Sequence, residues 1–418
     1  MKMPNSHNKD SKQLVCVHYY FYPDNSAGSQ MLSDISFYLS SNSFEVTVIT
    51  SRYVRYDVED KTLINYEEIN GVNVYRVWSS NFGRRRIINR VINYITLEIS
   101  LMIKLFQIVK QNDTVLLLTE PPFFNIIAYP IIRLKKGVVV NWVQDLFPEV
   151  AVSAGLFSKS SLINRSLTTL RNFIFKKADK NIVIGNTMLD YLVSIGISNN
   201  TIKIVNWSKG GEIFPISHND NQIRKDWGLE GKFVIGYSGN LGRAHDVSTI
   251  LAVIDKLKFN NNILFLFIGC GDGFDTVKQY AAKNKLNNIM FKPYQNRDLL
   301  PLSLNIADVH WVTLDPKMEG FIVPSKFYGI LAAGKPVIFI GDRDGEIARD
   351  IRKGECGESV IIGNYKRLEE IIKQYSNNVT LLSALGQNSR KLFEKKYQFH
   401  ISAVKFYNLL TDIGRNIQ

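Results

Sequence analysis

EGFIVPSKFYGILAAGKPVI, residues 319–338, reads as a tight loop carrying an acid and a lysine, then a helix, then a buried strand. Pro324 suits a first helical turn, because its ring fixes φ and its missing N–H is not needed there. Gly334 closes the helix, where a left-handed residue costs little. Next to Pro324 and Ser325, Lys326 puts a cation beside free N–H groups and the positive end of the helix dipole, a combination that holds phosphate. Glu319 lies just upstream, placed for a neutral, hydroxyl-bearing part of the same ligand. A phosphorylated sugar fits both halves. A Pro-opened helix of any α/β domain fits the string equally well, so the surrounding chain has to decide.

Outward from this stretch, apolar β-forming runs alternate with helical patterns. Residues 14–21, 44–50, 72–78, 113–119, 137–145, 180–185 and 202–207 read as strands of a first parallel sheet. Residues 208–230 are polar and Gly-containing, as a linker should be. A second series follows at 232–243, 263–273, 288–294, 307–314 and 335–341, and residues 381–410 look helical. The chain of 418 residues is too long for one ordinary core. It is read as α/β, with two doubly wound Rossmann-like domains facing a cleft at the carboxyl ends of their sheets. The first domain is placed at 1–206, with 397–418 packing back on it, and the second at 207–396.

Composition limits the function. The formal net charge of +13 calls for an acidic partner: anionic lipid, nucleic acid or a phosphorylated substrate. No aromatic-basic recognition module supports nucleic acid. Three scattered cysteines, Cys16, Cys270 and Cys356, fit buried thiols in a reducing compartment. The first residues lack the apolar core of a signal peptide, and no uncharged run is long enough to span a bilayer. The expectation is a cytoplasmic protein lying on the inner face of the membrane. Arg84, Arg85, Arg86 and Arg90 precede and open a long apolar segment up to Lys110, which suits either lipid docking or a core helix with a solvated basic start.

The motifs HYYFYPDNSAGSQ (18–30), NWVQDLFPE (141–149), YSGNLGRAHD (237–246) and the 319–338 stretch, in this order, resemble the retaining family 4 glycosyltransferases of the GT-B fold. Within that family the chain is most similar to bacterial surface-polysaccharide transferases of the fucosamine-transferase type. The resemblance implies a nucleotide-sugar donor, with UDP favoured, held mainly by the second domain. It also implies a polyprenyl-diphosphate-linked saccharide acceptor held by the first. Retention of configuration follows from the resemblance alone, with same-face attack and the departing diphosphate taking the acceptor proton.

Residue by residue, Arg243 is placed to neutralise the donor diphosphate, with Asn240 and Gly242 allowing close approach. Relatives carry a lysine a few positions later; here Ala244, His245 and Asp246 stand there, leaving Lys326 to supply the second charge. The second glutamate that relatives use for the ribose is replaced by Gly329, after Tyr328. Tyr294 opens the loop that holds the base in relatives. Gly28, at the entry of the first helix, lets a phosphate or sugar approach the backbone, or simply serves the helix entry. Asp145, with Glu149 as fallback, is the candidate acceptor-side base, or else a helix cap. Glu319 is the other catalytic candidate, and with Gly320 and Phe321 it is a candidate for the sugar and phosphate side of the donor. Gly269 and Gly271, in GCGDG, are counted with the nucleotide site. The D-x-D spelling at Asp342 and Asp344 reads as a polar turn, so no metal or cofactor is expected. The alternatives are a nucleotide-sugar epimerase or hydrolase of the same fold, and a dinucleotide-binding protein, although the full G-x-G-x-x-G is missing.

Overall fold

A computed structural model describes residues 12–54, 62–83 and 86–415; Arg84 and Arg85 lie outside the described residues. The first sheet contains β1 (Lys12–Val17), β2 (Phe44–Ser51), β3 (Tyr66–Ile69), β4 (Val72–Val77), β5 (Thr114–Leu118), β6 (Val138–Val143), β7 (Lys180–Val183) and β8 (Thr201–Lys203). They are ordered β3-β4-β2-β1-β5-β6-β7-β8. Every pairing is parallel except β3 with β4. The second sheet contains β9 (Phe233–Asn240), β10 (Ile263–Cys270), β11 (Ile289–Lys292), β12 (Val309–Thr313), β13 (Val337–Ile340) and β14 (Gly357–Val360), ordered β11-β10-β9-β12-β13-β14 and parallel throughout.

The central strands are apolar without alternation because helices cover both faces of each sheet, leaving no solvated side. β5 and β6 are buried at every position. The edge strands β3 and β14 escape such a reading: YEEI and GESV are short and polar, as edges tend to be. The last helix, Phe399–Arg415, returns to the first domain. There Ala403, Phe406 and Leu410 join the core around Trp142 and Trp207, with the Phe406 ring 4.7 Å from that of Trp142. Truncating such an aromatic costs about 3–5 kcal/mol, so this return is a substantial part of the first domain's stability. The two connections between domains run side by side: Ser208 N–H donates to Tyr397 O and Phe399 N–H to Ser208 O, both at 3.1 Å.

Helix Ile87–Ile108 crosses the first sheet from β4 to β5. Within it, Ile88–Ile108 is long and apolar enough to cross a bilayer by length and composition, although Arg90, Glu98 and Lys104 interrupt it. Its inner side is packed into the fold, since Leu97, Leu101 and Leu105 are fully buried.

Candidate functional site

The candidate residues lie on loops after the strands of both sheets, and those after β6 and β7 touch those after β12 and β13. From the first sheet come His18 and Gly28 after β1, Glu120 after β5, Asp145 after β6 and Asn186 after β7. From the second come Arg243 after β9, Gly271 after β10, Tyr294 after β11, Glu319 and Lys326 after β12, and Glu346 after β13.

Lys326 is the first residue of helix Lys326–Ala332 and Ser325 its N-cap, so the helix starts two positions later than Pro324, where the sequence reading opened it. Its Nζ donates to the Tyr237 hydroxyl at 2.5 Å and lies 3.4 Å from both Asn240 O and His245 Nε2. The Tyr237 hydroxyl donates in turn to Asn240 O at 2.9 Å. His245 Nδ1 is 2.5 Å from Thr313 O, a group that only accepts, so the ring proton sits on Nδ1 and Nε2 offers a lone pair to Lys326. Burial and the neighbouring lysine push His245 down to about 3, so the ring stays neutral. Burial also lowers the Lys326 ammonium to about 7. The amine is bordered by the acceptors named above, and no carboxylate is hydrogen-bonded to it. Tyr237 and His245 escaped the sequence reading; the only signal was that His245 stands where relatives carry a lysine.

The other donor-side candidates are distributed differently from expectation. Arg243 Nε donates to Asp272 Oδ2 at 3.1 Å, in a largely exposed pair. Gly269 and Gly271 serve the neighbouring loop. A Cβ on Gly269 would stand 2.1 Å from Gly239 O, and one on Gly271 would stand 2.4 Å from Asn240 Oδ1. Both glycines also have positive φ, so they fix how β9 and its loop pass β10. Asn240 is exposed and Gly242 half-buried, with Gly242 O accepting from His245 N–H at 3.1 Å. Tyr294 is 41% exposed and close enough to Tyr237 to raise its phenol further.

Glu319, Gly320 and Phe321 lie at the contact between the domains. Glu319 Oε1 accepts from Glu346 N–H at 2.8 Å, and burial raises its pKa above the ordinary carboxylate value. Gly320 sits against Thr187 O. The Phe321 ring packs on Tyr191 at 5.0 Å, while its carbonyl accepts from Leu146 N–H at 2.9 Å. These residues take part in the contact between the domains.

On the acceptor side, Gly28 is not an open backbone surface. A Cβ there would stand 2.9 Å from His18 Cε1 and Nε2, so the imidazole fills the space assigned to a ligand. His18 is buried, its Nδ1 lies 2.7 Å from Tyr20 O, and its Nε2 is 3.8 Å from Glu120 Oε2. Asp145 sits beyond the end of β6, half-buried, with its N–H donating to Thr119 Oγ1 at 3.1 Å. It does not cap helix Glu149–Ser153 through its side chain. It lines a small hollow with Thr119, Asn125 and Phe147. Glu149 is committed elsewhere: Arg171 grips it with two hydrogen bonds of 2.6 and 3.0 Å, and the Tyr191 hydroxyl donates to it at 2.6 Å. Asp342 accepts from Asp344 N–H at 2.9 Å within a turn. Among the described residues no three His, Cys, Asp or Glu are grouped to hold a metal ion.

Two Rossmann-like domains, each built on a largely parallel sheet, make up the GT-B architecture. The comparisons with known proteins agree. A family described as "Glycosyl transferases group 1" matches residues 219–392. The chain is 31% identical over 331 residues to the probable glycosyltransferase WbjE of Pseudomonas aeruginosa, covering 78% of this chain and 80% of that one. It is 24% identical over 222 residues to the putative colanic acid biosynthesis glycosyl transferase WcaI of Escherichia coli strain K12, covering 52% and 54%. Anabaena HepE, solved in complex with UDP-glucose, superposes with a TM-score of 0.72 at 15% identity over 96% of this chain and 99% of that one. The chain belongs to the group 1 glycosyltransferases and is an enzyme of sugar transfer.

Proposed function

We propose that this transferase moves a sugar from a UDP-linked donor to a polyprenyl-diphosphate-linked saccharide during bacterial surface-polysaccharide assembly, with retention of configuration. The observation that carries this reading is the Lys326 network: a buried amine bordered by acceptors alone, at the carboxyl edge of the second sheet, is built to gain an anion. UDP as the nucleotide is supported by the UDP-glucose complex of HepE, and polysaccharide assembly by the name of WcaI. The fucosamine-transferase type, within family 4, rests on the order of the sequence motifs.

In this reading the diphosphate lies against Lys326, with Arg243 reaching it from the exposed loop and Tyr294 toward the base. Charge on the leaving group is stabilised by these cations without a metal or other cofactor. Asp145 holds the acceptor hydroxyl, and the departing diphosphate takes its proton. The lipid carrier brings the enzyme to the inner face of the cytoplasmic membrane. Helix Ile87–Ile108 and the arginines at its start, of which Arg86 and Arg90 are described and exposed, supply the contact.

A thermal-shift screen against nucleotides and their sugars, followed by transfer assays on polyprenyl-diphosphate-linked saccharides, tests the reading. Stabilisation by UDP and acceptor-dependent release of UDP are expected. Donor consumption that is equally fast without acceptor would establish the epimerase or hydrolase instead.

A further inference from the structure

The outer face of the first domain is unusually apolar for a surface covered only by water. Helix Ile87–Ile108 exposes Ile88, Ile95, Ile99, Ile103 and Phe106 along one stripe. Two further helices lie beside it on the same face of the sheet. Asn125, from helix Phe124–Leu134, donates to Asn141 of β6 at 2.5 Å; Asn141 donates to Asn181 of β7 at 2.8 Å; Asn181 donates to Phe175 O, in helix Leu162–Lys177, at 2.9 Å. On the outside, Lys135 stands 4.0 Å over the Phe106 ring, and Arg133 donates to Lys177 O at 2.8 Å. The three helices form one continuous layer.

Helix Leu162–Lys177 repeats the pattern of the first. Leu162 is 77% exposed and Ile163 66%, with Leu170 and Phe173 further along the same helix. No core helix of a water-facing surface gains from exposing such residues at its first turn. The charges complete the picture. Residues 156–178 and 123–137 contain no acidic residue, and residues 86–108 contain only Glu98, which burial raises to about 7. Arg86, Arg90, Arg165, Lys176 and Lys177 are exposed on the first and third helices. An apolar face edged by cations, with Asp179 paired to Arg133 at 2.9 Å, matches a sheet of anionic headgroups over acyl chains. Both helices also begin at the carboxyl edge of the sheet, so Ile88, Leu162 and Ile163 flank the cleft where a lipid-linked acceptor would enter.

We infer that the first domain docks on an anionic bilayer through two legs, helix Ile87–Ile108 and helix Leu162–Lys177, whose exposed amino-terminal turns set the cleft mouth on the membrane. The inference rests on the reading of the enzyme as one that serves a membrane-bound acceptor, and it adds the second leg, which the basic sequence run does not reveal. One leg alone leaves the domain free to roll about the helix axis; two fix its orientation.

The test is flotation of the full chain with vesicles of phosphatidylethanolamine and phosphatidylglycerol. Leu162→Asp with Ile163→Asp, and separately Ile88→Asp with Ile95→Asp, should each weaken vesicle binding at least about tenfold, because burying each such side chain contributes on the order of a tenfold factor. Both variants should keep wild-type circular dichroism and the wild-type thermal shift with UDP-glucose, since the replaced side chains are exposed. Unchanged flotation of the Leu162/Ile163 variant overturns the second leg. A self-associating protein that these substitutions render monomeric would show that a second copy of the chain covers the face, and also overturns the inference. Loss of the UDP-glucose response with flotation intact would strike the donor reading and leave the docking surface standing.

Discussion

The Glu346 carboxylate of the second domain closes the amino end of the helix that starts at Asn186 in the first. Glu346 Oε2 accepts from the N–H groups of Asn186 and Thr187 at 2.7 and 3.0 Å, and Oε1 accepts from Asn186 Nδ2 at 3.0 Å. The backbone N–H of Glu346 itself donates to Glu319. Two helix ends are thus satisfied in series across the domain boundary, each by a carboxylate at the positive end of a dipole. Glu346→Ala leaves the half-buried N–H groups of Asn186 and Thr187 without their carboxylate, which costs on the order of 1 kcal/mol. Urea unfolding should show a lower midpoint and an earlier separation of the two domains. An unchanged midpoint would mean that the boundary is held elsewhere.

Lys326 gives the donor site its pH dependence. The free ammonium loses its proton near pH 7, because burial depresses it from 10.5. Between those values the unfolded chain binds more protons than the folded one, so this lysine makes folding stability rise with pH across that window. Donor binding runs the other way. A diphosphate prefers the charged lysine, so affinity should fall as pH rises above about 7, and binding there should take up a proton. Calorimetry in buffers of different ionisation enthalpy measures the uptake. Lys326→Met should weaken UDP binding by on the order of tenfold or more, since a charge-assisted bond contributes about 1.5–3 kcal/mol, and it should flatten the pH profile. A profile that keeps its slope in the variant would remove Lys326 from the site.

The apolar runs made the parallel strands legible, because burial on both faces leaves a continuous signal. Polar edges such as β3 and β14 send none. Within the candidate site, Lys326 could be singled out because a cation beside the start of a helix stands out in the sequence. His245 and Tyr237 could not, since their importance lies in distances to Lys326 across the sheet. Glu346 was hidden in a string that reads as a polar turn, and its partners are about 160 residues away in sequence. Gly28 shows the opposite failure. A glycine at a helix entry looked like room for a ligand, whereas the room is taken by a side chain of the same domain.

That packing is itself testable. Gly28→Ala forces a methyl group to within 2.9 Å of a His18 ring that is only 1% exposed, so the ring has no free space to move into. Overpacking of this kind costs about 1–3 kcal/mol. Adding His18→Ala to the variant should restore a large part of the lost thermal stability. Two effects that merely add would show that the glycine and the imidazole are not coupled.

Asp145 is held by its backbone, through the Thr119 hydroxyl, and not through a helix-capping side chain. In the proposed reading its carboxylate, beyond the end of β6, meets the acceptor hydroxyl. Asp145→Asn preserves the shape and removes the charge. Turnover should fall by about one to two orders of magnitude, in line with a group that acts on the reacting hydroxyl, while UDP affinity stays near wild type. Wild-type turnover in this variant would leave Asp145 a structural role only.

Arg243 and Asp272 lie at the opposite limit of burial from Lys326, with side chains 60% and 73% exposed. An ion pair in that setting contributes about 0–1 kcal/mol, too little to hold the guanidinium away from a diphosphate that offers two charges. The arginine should therefore leave Asp272 when donor binds. Removing its partner should help: Asp272→Asn is expected to tighten UDP binding by a few-fold, and Arg243→Ala to weaken it by less than Lys326→Met does. Salt separates the two cations further, because an exposed arginine is screened and a buried lysine is not. Titrations with UDP at low and high ionic strength should converge for wild type and Arg243→Ala as salt rises, while the deficit of Lys326→Met persists. If Asp272→Asn instead binds UDP more weakly than wild type, the carboxylate is orienting Arg243 for the donor, and the pair acts as a unit.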